Sequence, residues 1–145
     1  MRIEEATHVA LRMGAGFLFI LHGLQKTFGL FGGLGGKPAA LGSLMGVAGV
    51  IELVGGALLI IGLFARPIAA LLAVEMLVAF VKAHMPRGGW PLQNGGELPI
   101  LYALVFLFLA ANGAGRTSVD AWRRRRRTRT LRDVVTGVRR RVASM

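Results

Sequence analysis

The chain has 145 residues, 54% hydrophobic and 17% charged, with a mean hydropathy of +0.58 and a net charge of +11. Soluble domains run at roughly 45–50% apolar and about 25% charged, so an ordinary soluble domain is excluded, and so is disorder, which needs low hydrophobicity. There is no cysteine, which excludes disulfides, thiolate metal sites and thiol redox chemistry carried by this chain.

The N-terminus is polar and carries Glu4 and Glu5. A secretory signal would start basic, so the first apolar segment, residues 9–30, reads as a retained span. A glycine-rich loop, Phe31 to Pro38, follows. The second segment covers residues 41–64 and stops at Arg66-Pro67. Pro67 is expected to open the third, residues 67–85, because a helix start does not use that N–H. Residues 86–96 are dense in glycine and proline and read as a loop. The fourth segment, residues 98–115, is 18 residues without a charge. One crossing of a core about 30 Å thick takes roughly 20 helical residues, and no period-2 alternation suggests a barrel. The predicted fold is all-α: an integral membrane four-helix bundle over residues 1–117, then an Arg-rich tail over residues 118–145.

Eleven arginines and two acids, Asp120 and Asp133, give residues 116–145 a charge of +9 and leave +2 for the rest. This run follows directly on an apolar segment, so a membrane surface explains it better than nucleic acid does. Beyond Trp122 no aromatic residue interleaves the arginines to stack bases. Leu131, Val134, Val135, Val138 and Val142 recur at helical spacing, and Ser118 suits an N-cap, so a basic amphipathic helix is expected. Arg123, Arg124, Arg125, Arg126, Arg127, Arg139, Arg140 and Arg141 are expected to dock on anionic lipid or an acidic partner surface. Mutual repulsion favours an extended Arg123–Arg127 unless the run is neutralised. The positive-inside rule puts the tail, and with four spans also the N-terminus, on the cytoplasmic side. Trp90 and Trp122 flank the last two spans as interfacial anchors.

Gly42, Gly46, Gly49 and Gly56 fall within about 80° on a helix, a stripe that lets a neighbouring backbone come close in lipid. The spans also hold groups that are costly in hydrocarbon. His22 and Lys26 share one face. Glu52 and Glu75 lie near mid-span, Lys82 is two turns beyond Glu75, and His84 and Glu97 stand at helix ends. A central charge costs about 2.5–3.5 kcal/mol on insertion scales. His22, Lys26, Glu52, Glu75 and Glu97 are therefore expected to turn inward and form a polar pocket in the outer half of the bundle. Two alternatives stay open: snorkelling for Lys26, Lys82, His84 and Glu97, and a structural ion pair or hydrogen-bonded acid for Glu52 and Glu75. No His pair has metal-ligand spacing, so no metal is expected.

His22-Gly23 with Lys26, Glu52 followed by Gly55-Gly56 and Gly62, Asn94-Gly-Gly-Glu97, and Gly113-Ala-Gly115 with Ser118 and Asp120 occur in an order that resembles the DoxX family of small four-span bacterial membrane proteins. The likeness covers residues 10–121 and leaves the arginine-rich tail as an addition. The resemblance implies an accessory or quinone-linked redox subunit of a larger membrane complex, with quinone as the candidate cofactor and other membrane subunits as partners. It also implies that His22, Lys26, Glu52 and Glu97 line the family's polar pocket; Glu75 is added from its depth alone. A quinone-interacting oxidoreductase in its own right, and a small solute or proton transporter, remain the alternatives.

Overall fold

The computed structural model describes residues 2–128, and within these every regular element is helical. Helix α1 runs Ile3–Phe28, α2 Leu44–Ile61, α3 Ala65–Ala79, α4 Pro91–Asn94 and α5 Glu97–Asn112. A further helix, α6, covers residues 119–128. Helix α3 continues through a π turn at Phe80–His84 and a 3-10 turn at Met85–Arg87. The stretch Ala65–Arg87, α1 and α2 are long and apolar enough to cross a membrane, while Glu97–Asn112 is a shorter apolar helix. At 1.5 Å per residue α5 measures about 24 Å.

The element boundaries follow local chemistry. Helix α1 begins six residues before the expected span, because Glu4 and Glu5 in its first turn suit the positive end of the helix dipole. Ser43 caps α2, its Oγ accepting from Gly46 N at 3.1 Å. Helix α3 starts at Ala65, two residues before Pro67. The cap comes from far along the chain: the Asp120 carboxylate accepts from Phe64 N and Ala65 N, both at 3.0 Å. Phe64 sits at φ 50°, a left-handed conformation that costs about 1–2 kcal/mol when a side chain is present. The two charge-assisted bonds offset that cost.

The four long helices pack in the cyclic order α1, α2, α3, α5. Phe19 closes the ring, its centroid 4.8 Å from that of Tyr102 and 4.5 Å from that of Phe106. Phe19, Leu59, Leu72, Phe106 and Leu109 form a fully buried centre, with alanines of α3 filling the gaps. Large apolar side chains such as Phe17, Val54, Leu71, Val74 and Leu104 point outward on every long helix. A soluble monomer does not expose so much apolar surface; here it is the face toward lipid.

The α1–α2 contact is the tightest. A Cβ on Gly16 would lie 2.7 Å from Gly56 O, one on Gly56 2.5 Å from Gly16 O, and one on Gly23 2.6 Å from Leu53 N. Gly49 faces Lys26 Cβ in the same way, at 2.8 Å. Of the expected stripe, Gly49 and Gly56 make this contact. Gly46 packs on Ala40 of the preceding connection, and Gly42 lies before α2 with open space around it. The matching glycines on α1, Gly16 and Gly23, stand seven residues apart like their partners.

At the end of the molecule where α2 meets α3, Arg12 is 2% exposed. Its Nη1 donates to Leu59 O (2.5 Å) and Ile60 O (2.8 Å), and its Nη2 to Thr117 O (2.9 Å). Asp120 N donates to Gly62 O at 3.0 Å. This network ties α1, the end of α2 and the segment after α5 together.

Two stability predictions follow from these contacts. Gly23→Val or Gly56→Val should force α1 from α2 and lower stability by about 1–3 kcal/mol or more. Gly14→Ala, into open space, should change it little; thermal unfolding in detergent distinguishes them. Asp120→Ala should cost about 1–3 kcal/mol by freeing two donors and an unfavourable turn, and proteolysis should then cut first between α2 and α3.

Candidate functional site

The alternating helix directions bring the C-terminal part of α1, the N-terminal half of α2, the end of α3 and the start of α5 to one end of the molecule. A cavity of about 190 Å³ opens there, lined by Phe19, His22, Lys26, Glu52, His84 and Tyr102 among others. Lys26 Nζ is ion-paired and hydrogen-bonded to Glu52 Oε1. Glu52 is 1% exposed. Its second oxygen, Oε2, is buried and has no hydrogen-bond partner. Removing two charges from water costs several kcal/mol per ion, and a close pair recovers this only with good geometry. An unfilled acceptor on such a carboxylate is a feature to be explained.

Aromatic rings make one wall. His22 lies edge-on to Phe19 and to Tyr102, at 6.2 Å in each case. Across from them His84 Nδ1 lies 3.0 Å from Asn94 O. Asn94 is buried, donates to Gly88 O at 2.7 Å and accepts from Gly96 N at 2.8 Å. The π turn Phe80–His84 carries His84 to the cavity.

His22, Lys26 and Glu52 are thus brought together. Glu75 lies beside them, close enough to interact electrostatically with Glu52 and Lys26. It lines a neighbouring cavity instead, and both its oxygens are buried without a partner. Glu97 departs from expectation: it is exposed and does not line the cavity. Gly95, Leu98, Pro99 and Tyr102 hold the inward face of this stretch, and on α5 position 97 lies about 200° round from the buried Pro99. Its carboxylate instead occupies the first turn of α5, where the helix dipole favours it. Tyr102, Phe19 and His84 were not among the expected lining residues. Tyr102 had a signal, being the single tyrosine of the chain and one turn beyond Leu98.

The arginine run sits at the opposite end. Residues 119–128 are helical through Arg123–Arg127, not extended. Ser118 Oγ accepts from Ala121 N at 3.2 Å as the N-cap. Arg126 stacks over Trp122 at 4.0 Å and Arg123 over Phe64 at 5.3 Å, contacts that compensate repulsion within the run. Arg139, Arg140, Arg141 and the apolar positions from Leu131 to Val142 lie outside the described residues.

The DoxX family model matches residues 8–85, which include most of α1, all of α2 and α3, and His22, Lys26, Glu52 and His84 of the cavity lining. The chain belongs to the DoxX family. An uncharacterized protein of Haemophilus influenzae is 43% identical over 114 residues, spanning 76% of this chain and 85% of that protein. The Bacillus subtilis protein named "Putative oxidoreductase CatD" is 31% identical, over 80% of this chain and 86% of its own length. An uncharacterized membrane protein of Mycobacterium tuberculosis is 30% identical, over 77% of this chain and 78% of its own. No solved structure matches the chain. This DoxX protein is a membrane protein in which His22, Lys26, Glu52 and His84 gather around one cavity at one end of its helices.

The ion pair can be tested by a double-mutant cycle. Lys26→Met alone should cost about 3–5 kcal/mol, because it leaves a buried carboxylate unpaired. Adding Glu52→Leu should restore most of that loss in detergent unfolding measurements, since two apolar residues then replace two charges.

Proposed function

We propose that this DoxX protein is a quinone-linked redox subunit of a larger complex in the bacterial cytoplasmic membrane, and that its polar cavity holds the quinone ring. The observation that carries this reading is the buried Lys26–Glu52 pair with Glu52 Oε2 left open beside an aromatic wall. Small-molecule sites usually run to about 300–1,000 Å³. A cavity of about 190 Å³ suits only a compact group. A ring with two oxygen functions matches the lining: Lys26, His22 and Tyr102 offer donors to a carbonyl, and Glu52 Oε2 offers an acceptor to a hydroxyl. Phe19 and Tyr102 shape the slot and keep water out. A bound quinone supplies two-electron, two-proton chemistry. His22 is the group suited to exchange a proton with the ring, since imidazole both donates and accepts. The name of the Bacillus subtilis relative agrees with redox chemistry. In this reading the electrons come from a partner subunit, since the chain has no cysteine to carry thiol redox chemistry.

The same reading includes four crossings with both ends in the cytoplasm. Helix α5 is shorter than α1, α2 and the continuous stretch Ala65–Arg87, yet it joins the same two ends that α2 joins: Pro99 and Tyr102 line the cavity, and Thr117 beyond it meets Arg12. A mismatch of a few ångströms is absorbed by tilt or local thinning at small cost. Arg123–Arg127 then lie at the inner leaflet, on anionic headgroups or an acidic face of the complex.

The direct test is to purify the protein from its membrane in mild detergent and extract bound quinone. A stoichiometric quinone is expected in the wild type and should fall severalfold in Lys26→Met and His22→Ala, with Glu4→Gln unchanged. Wild-type protein that carries no quinone and binds none on addition would remove the reading. Reporter fusions should place residues 60–66 and the end of α6 on the cytoplasmic side and residues 86–96 outside.

A further inference from the structure

A second cavity, of about 240 Å³, lies between α2 and α3. Its walls are apolar, among them Val47, Ala48, Ile51, Val74 and Val78. Val47, Val74 and Val78 are exposed on the outer surface of the helices, which is the surface toward lipid. Lys26, Met76 and Ala79 line both this groove and the polar cavity, so the two meet along one edge. Glu75 stands at that edge, one helical turn before Ala79 and on the same face. Its two oxygens are buried without a partner.

We infer that cavity and groove form one site for a membrane-dissolved amphiphile, with a compact polar ring in the cavity, its aliphatic chain in the α2–α3 groove, and entry sideways from the bilayer. This rests on the ring-binding reading of the cavity. Three observations carry it. Polarity is divided as the ligand requires: His22, Glu52 and His84 line the cavity alone, while the groove is walled mainly by apolar side chains, with Lys26 and Glu75 at the shared edge and Lys82 as its remaining ionisable residue. Size agrees, because the cavity alone is below the usual range for small-molecule sites and the two compartments together fall within it. Glu75 tells an amphiphile from an ordinary acyl chain: a chain has no use for two buried oxygens at the junction, whereas a polar head passing inward can bond to them.

The groove does not act by hydrophobic driving force. A tail gains little on leaving lipid for a groove of the same polarity. What the groove supplies is room, since a head whose tail has nowhere to go cannot reach the cavity. The experiment therefore compares two probes on the full chain in nanodiscs of fixed lipid: a benzoquinone bearing only methyl groups, and the same ring with a ten-carbon chain. Ala48→Phe and Val78→Trp each fill the groove without lining the cavity, and either suffices if the other fails to fold. Each should weaken the tailed probe by about tenfold or more, equivalent to about 1.4 kcal/mol, and leave the short ring within about twofold. Equal effects on both probes, or none on the tailed one, would overturn the inference and assign the groove to a lipid chain or a partner helix. If the short ring binds and is lost in Lys26→Met while the groove variants do not discriminate, only this inference falls. If neither probe binds the wild type, the ring-binding reading falls with it.

Discussion

Lys26 reaches Glu52 because Gly49, one turn before Glu52 on α2, has no side chain. A Cβ at Gly49 would stand 2.8 Å from Lys26 Cβ and would push α1 outward. Gly23, one turn before Lys26 on α1, does the same from the other side, where a Cβ would stand 2.6 Å from Leu53 N. The ion pair is thus bracketed by two glycines that set the separation of the helices carrying it. In lipid no hydrophobic force drives helix to helix, so close backbone packing has to supply the contact energy. The seven-residue spacing of Gly16 and Gly23 on α1 and of Gly49 and Gly56 on α2 repeats the contact two turns away, which fixes the crossing as well as the distance.

From this pair of helices the rest of the site follows. With α1 and α2 held close, Gly55 presents its bare backbone toward Leu72, where a Cβ would meet Leu72 Cδ2 at 3.0 Å, and α3 packs in. Helix α5 then leans on α3 and closes on α1 through Phe19, Tyr102 and Phe106. The aromatic wall of the cavity is the same cluster that closes the ring of helices. Changes meant to enlarge the cavity at Phe19 therefore also open the fold.

Much of this was legible in the residues. The apolar segments located the four long helices, with α1 starting six residues early, and the cost of charge in hydrocarbon singled out His22, Lys26 and Glu52 together with Glu75 and Glu97. Periodicity assigned Gly49 and Gly56 to a close contact. The remainder depended on tertiary geometry. Glu97 has the same chemistry as Glu52, and only its angular position on α5, away from Tyr102 and Leu98, takes it out of the cavity. Asp120 lies 55 residues from the backbone N–H it caps at Ala65, and no local pattern signals such a partner. Arg12 looked like a marker of orientation near a span end, yet it is among the most buried polar side chains described. Two of its acceptors, Leu59 O and Ile60 O, are backbone carbonyls at the end of α2, and the third, Thr117 O, comes from beyond α5, a convergence that sequence does not display. The π turn that delivers His84 is likewise a property of the folded chain.

The two ends of the molecule treat buried polarity differently, and the difference separates architecture from chemistry. Around Arg12 and Asp120 nearly every polar atom is committed: Arg12 Nη1 and Nη2 to three carbonyls, both Asp120 oxygens to backbone N–H groups, with the Arg12 Nε alone left over. Such a network specifies one packing and leaves nothing for a ligand to claim. Around Lys26 the balance is reversed. One Glu52 oxygen and both Glu75 oxygens are buried with no partner, next to space that the fold does not fill. A protein selected only for stability would gain by placing apolar residues there, because burying an unsatisfied carboxylate oxygen costs at least about 1–3 kcal/mol. Retaining three such oxygens beside two meeting cavities makes sense when something else completes them, as the proposed amphiphile entering by the lipid-facing groove would.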